Sequence, residues 1–483
     1  MPADPLETGS DPPAGAAAPH APAPGFWASV REALRGSEQD YTTGPIGRAI
    51  LLLSVPMVLE VSLESVFAVV DIFFVSRLGA EAVAAVGLTE SLLALVYSLA
   101  MGLGIGATAV VARRIGEKDA DGAARAAVQA VALALLISVV LGVSGALAAP
   151  RLLLAMGAGP EVVAAGAGYT RIMLGGEAVI ILLFVVNAIF RGAGDAAIAM
   201  RVLWVANLIN IALCPTLIFG LGPFPALGVE GAAIATTTGR GVGAAFALWR
   251  LFRPGQRVRV TRRHLRLDLP VMGQIVRLSA TAALQSAIGM ASFIGLMRIL
   301  STFGSDAIAG YTVALRIIIF ALLPSWGMSN AAATMVGQAL GARDPERAEK
   351  AVWRAGFYNM CFLGAIGILF VALAGPIVSL FTRDPEVAGY AVGCLRIVAS
   401  GFLFYAYGMV LSQSFNGAGD TATPTWLNLV VFWLWELPLA WALAVWLGMG
   451  PTGVFVAIAV AFSTLAVASA AVFRRGRWKT RVV

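Results

Sequence analysis

The sequence predicts an all-α membrane protein: twelve transmembrane helices in two six-helix lobes, related by a parallel pseudo-twofold along the membrane normal. Three observations predict it. Hydrophobic residues make up 59% of the chain and charged residues 13%, where a soluble domain carries about 25% charged residues. The second half repeats the first at a constant step of 225 positions, so that Gly79, Ala82 and Ala84 recur as Gly304, Ala307 and Ala309. Basic residues gather in alternate loops, as the positive-inside rule requires of a multi-spanning chain.

The repeat keeps its register from residue 79 to residue 229. Gly116 and Asp119 return as Gly341 and Asp344, Pro160 to Val162 as Pro385 to Val387, and Arg171 as Arg396. Phe190 and the run Gly192 to Asp195 return as Phe415 and Gly417 to Asp420, and Gly228-Val229 as Gly453-Val454. A duplicated apolar chain of this kind is the mark of a secondary transporter, with a path between two similar halves.

Taken in chain order, residues 1–44 are rich in Ala, Pro, Asp and Glu, and read as a disordered cytoplasmic tail. They lack the basic start and apolar core of a signal peptide. The N-lobe, 45–252, holds apolar segments at 47–77, 81–112, 122–149, 161–190, 196–220 and 228–251. A basic cytoplasmic linker, 253–268, follows. The C-lobe, 269–474, holds segments at 270–300, 305–337, 346–374, 386–415, 422–448 and 452–473, before a basic tail at 475–483. A span needs about 20 apolar residues. With no water in lipid to satisfy the backbone, each segment must be a helix.

Orientation follows from the loops. Arg113, Arg114, Lys118 and Arg125 follow span 2; Arg191 and Arg201 follow span 4; Arg343, Arg347, Lys350 and Arg354 follow span 8. With the linker and tail arginines, these put both termini on the cytoplasmic side of a cytoplasmic (inner) membrane. The net charge of +7 is therefore topology and not a nucleic-acid patch. His20 and His264, the two histidines, fall outside the spans, and Cys214, Cys361 and Cys394 are not spaced as a metal site. No cofactor or metal is implied, and a monomer is expected.

Span 1 carries Glu60, Glu64 and Asp71. At about 100° and 1.5 Å per residue they share one narrow face extending about 16 Å. A lipid-facing carboxylate costs roughly 2.5–3.5 kcal/mol, so the stripe points inward. It serves either as an ion-coupling site or as an inward polar face held by structural hydrogen bonds. Pro56, just before the stripe, removes one helical hydrogen bond and marks either a hinge or a static kink. Asn187, Asn207 and Asn210 supply amides that could partner a carboxylate or glue helices together. The Gly-Ala-Gly-Asp pair at 192–195 and 417–420 lacks the Lys and strand of a phosphate loop. It reads as a glycine helix stop, with Asp195 or Asp420 capping the next helix.

The C-half has no acid matching Asp71, whose repeat partner is Leu296. It does have Arg316, the one deep basic residue on this reading, and Glu436. These two are expected to form a buried pair or to share a cavity. Gln285, Tyr311, Tyr405, Trp433 and their neighbours give that half a polar, aromatic interior suited to flat or cationic organic ligands. Packing and interfacial anchoring are the plainer reading of each.

With these residues in place, the chain resembles the multidrug and toxic compound extrusion (MATE) family over most of residues 45–475. The resemblance rests on Leu53 to Pro56 as LSVP, Val69 to Phe74 as VVDIFF, Arg77 to Val86 as RLGAEAVAAV, Ile115 to Asp119 as IGEKD, and the paired FRGAGD and FNGAGD runs. It implies an antiporter that expels organic compounds, often cations, in exchange for H+ or Na+. Asp71 then falls on the family's essential first-helix carboxylate, Pro56 on a proline at which that helix bends, and Asn187 and Asn210 on polar partners in the DinF-like branch. Two departures bear on the ion. Where relatives carry an Asp-Pro in span 5, this chain has Cys214-Pro215, and where some carry acids in spans 7 and 10 it has Gln285, Ser286 and Tyr405. The first removes a ligand for Na+ in the N-lobe and so favours H+; the second speaks against a Na+ site in the C-lobe and so favours coupling through the N-lobe, with Asp71 at its centre and Glu60 or Glu64 assisting. A lipid-linked saccharide flippase and a narrow-specificity metabolite exporter remain the nearest alternatives. A membrane-embedded transferase would need clustered acids for a metal, which the sequence does not offer.

Overall fold

A computed structural model describes residues 25–36 and 39–481. Residues 26–35, expected to belong to a disordered tail, form a helix instead, α1 (Phe26–Arg35). It buries Ser29 and Ala33, and its carbonyl at Leu34 accepts a 2.7 Å hydrogen bond from Arg201. Residues 1–24, 37–38 and 482–483, the last two belonging to the expected basic tail, lie outside the described residues.

The N-lobe spans are α2 (Ile46–Val75), α3 (Ala80–Gly116), α4 (Ala120–Ala155), the bent pair α5 (Pro160–Gly175) and α6 (Glu177–Ala193), α7 (Ala196–Phe219) and α8 (Gly228–Phe252). The C-lobe repeats them as α9 (Leu269–Leu300), α10 (Ser305–Gly341), α11 (Pro345–Ser379), the bent pair α12 (Pro385–Ser400) and α13 (Phe402–Gly417), α14 (Ala422–Trp446) and α15 (Pro451–Arg474). Nine of these are long and apolar enough on their own, and the bent pairs add two. The 25-residue α8 is the twelfth and carries Glu230, Arg240 and Arg250. Expected and observed ends agree within a few residues, save that spans 4 and 10 are bent, by 41° and 61°. Each break falls on a glycine, Gly176 and Gly401, and these are repeat partners.

The repeat extends to backbone conformation. Lys118 and its partner Arg343 both take φ 60, in the left-handed region that non-glycine residues rarely adopt. In each case the next residue caps the following helix: Asp119 accepts from the Gly122 amide at 2.7 Å, and Asp344 from the Arg347 amide at 2.9 Å. The other aspartate pair departs from expectation. Gly194 and Gly419 do stop their helices with positive φ, but Asp195 makes no capping bond. Asp195 meets Arg257 of the linker at 3.4 Å, and Asp420 meets Arg481 of the tail at 3.2 Å. These aspartates fasten the connecting segments because arginines reach them from outside the helix.

The lobes interlock at the arginine-rich end. The first half of α2 (Ala49, Ile50, Leu53, Met57) packs in one core with α10, α11 and α13 of the opposite lobe. In return Ile275 and Leu278 of α9 join the N-lobe core. Two repeat-related glycines permit the crossings. A Cβ on Gly327 of α10 would stand 2.8 Å from the Val58 amide of α2, beside Pro56, and one on Gly102 of α3 would stand 2.7 Å from the Ala283 amide of α9. Helix α2 continues unbroken through Pro56.

Hydrogen bonds across the lobes gather at the same end. Thr334 donates to the Arg191 carbonyl at 3.1 Å, and Gln338 to the Gly192 carbonyl at 3.0 Å. Arg113 donates to the Arg481 carbonyl at 2.7 Å, and Arg347 to the Tyr41, Thr43 and Gly44 carbonyls. Gly116 and Gly341 touch the opposite helix so closely that a Cβ on Gly116 would lie 2.8 Å from Gln338 Cα. Gly116→Val should therefore prise this end open. Spin-label distances across it should lengthen in the variant, and an unchanged distance distribution would show that the contact does not hold the lobes together.

Candidate functional site

Between the lobes lies a cavity of about 230 Å3. Helix α2 contributes Glu60, Val61 and Glu64, α3 contributes Met101, Ile105 and Thr108, and α6 contributes Phe184, Asn187 and Arg191. Across from them stand Trp326, Asn330 and Ala333 of α10, with Gln413 and Asn416 of α13. The two walls are repeat-related: Met101 partners Trp326, Ile105 partners Asn330, Thr108 partners Ala333, and Arg191 partners Asn416. The pseudo-twofold thus runs through the cavity, with Asn330 standing where the N-lobe has Ile105 and Ala333 where it has Thr108.

The carboxylate stripe does point inward, but its members part company. Glu60 is 4% exposed and accepts a 2.6 Å bond from Arg191. Glu64 accepts from Arg240 at 3.0 Å and from Asn207 at 3.2 Å. Arg240 is buried and also donates to the Tyr97 hydroxyl at 2.8 Å, between the Phe67 and Tyr97 rings. Both glutamates therefore have a cation in contact. Asp71, one turn-pair further along, does not: its hydrogen bond comes from the Cys214 thiol at 3.4 Å, and it stands outside the cavity wall.

The expected amide partners lie elsewhere. Asn210 donates to Thr236 at 2.8 Å, not to Asp71, because the side chain one helical turn on, Cys214, takes that position. Asn187 lines the cavity and its Oδ1 has no partner. Asn416 Oδ1 and Glu60 Oε2 share that condition, so three buried acceptors of one cavity await donors. Buried acceptors without partners are rare enough to need an explanation, and a donor-bearing ligand or water is the usual one.

The C-lobe residues expected to line the cavity do not reach it. Gln285 donates to Ser412 at 3.3 Å, and Trp433 to the Ile288 carbonyl at 3.2 Å. Tyr311 is sandwiched between Phe293 and Phe455, and Tyr405 rests on Phe462. Arg316 is exposed and forms no ion pair with Glu436, which is buried against Ser292 instead. The deep basic residue is Arg240, missed in the sequence. A lone arginine midway along an apolar segment was the signal for it, since an intramembrane charge is a functional candidate by default. Arg191, read as a loop charge, lies within α6 and reaches back to Glu60.

A model of the MatE family matches residues 56–216 and 280–442. The probable multidrug resistance protein YoeA of Bacillus subtilis is 28% identical over 424 residues, covering 86% of this chain and 91% of that protein. The FAD transporter of Shewanella oneidensis is 27% identical over 401 residues, covering 82% and 88%. Among solved structures, the outward-facing conformation of a multidrug resistance MATE family transporter of the MOP superfamily superposes with a TM-score of 0.84 at 28% identity. It covers 94% of this chain and 99% of its own.

Proposed function

The chain belongs to the multidrug and toxic compound extrusion (MatE) family, and from that premise we propose that it is a proton-coupled antiporter exporting small aromatic or cationic compounds through the cavity between its lobes. Members of the family are transporters and not enzymes, and the chain is a multi-pass membrane protein of two six-helix lobes.

The observation that carries the substrate reading is the set of unmet acceptors, Glu60 Oε2, Asn187 Oδ1 and Asn416 Oδ1, around one cavity. They suit a ligand that donates N–H bonds. Phe184 and Trp326 supply aromatic faces for a flat ring or a cation. The two guanidiniums in the wall are matched by Glu60 and Glu64, leaving no spare cation for the pyrophosphate of a lipid-linked saccharide. That weighs against a flippase. The FAD transporter among the relatives keeps a narrow-specificity metabolite exporter as the second reading.

Coupling goes through Asp71. It is the one carboxylate of the stripe without a contacting cation, so it changes charge at the least cost in broken ion pairs. Glu60 and Glu64 assist by keeping Arg191 and Arg240 in place, with Pro56 as the hinge of α2. A thiol is a poor ligand for a hard cation such as Na+, so Cys214 beside Asp71 favours H+. The positive-inside rule puts the arginine-rich end and both termini in the cytoplasm, in the cytoplasmic membrane. The lobes interlock at that end, so this state faces outward. Protonation of Asp71 would bias the equilibrium toward the opposite state.

The test is ethidium export from bacterial cells stripped of their own pumps. The chain is expected to expel ethidium faster than empty vector, and collapsing the pH gradient should stop it. Equal retention of the dye in both, with the protein present in the membrane, would sink drug export and leave a narrower metabolite.

A further inference from the structure

Besides the N-lobe stripe, the described spans bury Glu177 at the start of α6 and, in the C-lobe, Glu436; among the described residues no arginine or lysine forms an ion pair with Glu436. Glu436 sits at the end of a π-helical stretch of α14, Leu429–Glu436, and is 2% exposed. The Ser292 hydroxyl of α9 donates to its Oε2 at 2.9 Å and also lies 3.5 Å from the Phe432 carbonyl. Arg316, on α10, is exposed and does not pair with it.

The groups that face Glu436 from the neighbouring helices are neutral. Tyr311 of α10 and Tyr405 of α13 both lie within its electrostatic reach, and Cys394 of α12 within that of Tyr311. From α15, Phe455 stacks on Tyr311 and Phe462 packs on Tyr405 and Phe432. Tyr311 is itself 3% exposed. Neither tyrosine hydroxyl hydrogen-bonds to any described residue, and the hydrogen bond from Ser292 is the one that Glu436 accepts among the described residues. None of this is inherited from the repeat: the positions matching Glu436, Ser292, Tyr311 and Tyr405 are Ile211, Phe67, Val86 and Ile180. The C-lobe has acquired a polar cage where the N-lobe has hydrocarbon.

An ionised carboxylate in such a site is costly unless a cation or several donors meet it. A proton is the smallest ligand that removes the cost. π-Turns leave carbonyls loosely satisfied and recur at functional sites, and here one carbonyl, that of Phe432, already turns toward Ser292. We propose that Glu436 is a second proton-binding site, in the C-lobe, which takes up one proton per transport cycle and returns it to water admitted past Tyr311 and Tyr405. A proton adds to one carboxylate oxygen and later leaves from it, and no other bond changes. The inference rests on reading the chain as a proton-coupled exporter, but its first test does not need transport.

That test is infrared difference spectroscopy of the full-length protein in lipid nanodiscs, recorded against pH. The wild type should show the C=O stretch of a protonated buried carboxyl. Glu436→Gln should lose it, Asp71→Asn should keep it, and Ser292→Ala, which leaves the carboxyl in place, should shift it. In proteoliposomes the protons moved per ethidium should fall by one in Glu436→Gln. A band untouched by Glu436→Gln would overturn the proposal, as would an unchanged proton ratio, which would make Glu436 a permanently protonated structural group. Loss of the band on adding Na+ at constant pH would overturn it in favour of a metal ion. Failure of the wild type to move ethidium would count against drug export, and the infrared result would then decide Glu436 alone.

Discussion

Asp71→Asn should reduce ethidium export to the level of cells carrying empty vector, with the protein still inserted at wild-type amounts. Asparagine keeps the shape of the side chain and can still accept from the Cys214 thiol, so the packing of α2 on α7 survives. What it cannot do is change charge. The two glutamates of the stripe cannot replace it, because each is tied to an arginine, Glu60 to Arg191 at 2.6 Å and Glu64 to Arg240 at 3.0 Å. Neutralising Glu64 would strand the buried Arg240 guanidinium and neutralising Glu60 would break its 2.6 Å ion pair with Arg191, whereas neutralising Asp71 breaks one weak thiol contact. A substrate can still enter the cavity of Asp71→Asn, since Asp71 stands outside its wall. Dye binding should therefore persist while dye export stops, and that split separates a coupling residue from a binding one. Export that survives the substitution would move the coupling to Glu60, Glu64 or Glu436.

The sequence made the fold legible because the repeat and the apolar segments are both one-dimensional signals. The step of 225 reappears even in the paired positive φ of Lys118 and Arg343 and in the paired breaks at Gly176 and Gly401. The cavity was harder to read, for a physical reason. In a span that meets lipid on one side and apolar neighbours on the other, no polar face marks the inward direction. Tyr405 and Gln413 share α13, yet only Gln413 reaches the cavity, and eight residues turn the helix by about 80° between them. Aromatic content was the wrong guide, since Tyr311 and Tyr405 serve packing among other rings. The repeat was the better one: carrying Arg191 across the register finds Asn416, and carrying Ile105 finds Asn330, all of them in the wall. Composition also concealed α1, whose ten residues fold because they lie against α2 and α7.

The second large effect belongs to Arg191. Its guanidinium holds Glu60, whose side chain is 6% exposed and whose other oxygen already lacks a partner. Removing one member of a buried ion pair leaves the other charge uncompensated, at a cost of about 3–5 kcal/mol. Arg191→Met should therefore destabilise the protein by about that much in a denaturation titration in mixed micelles. Adding Glu60→Gln should recover most of the loss, because the group left behind is then neutral and the methionine fills apolar space. Glu60→Gln alone should cost less than Arg191→Met, since Arg191 is 20% exposed and can turn its charge to the water of the cavity. The order of the three variants is what matters. If Arg191→Met alone lies within about 1 kcal/mol of wild type, the pair behaves as an exposed one. Glu60 would then be free to change its protonation during transport, and the case for Asp71 as the sole N-lobe proton carrier would fall with it.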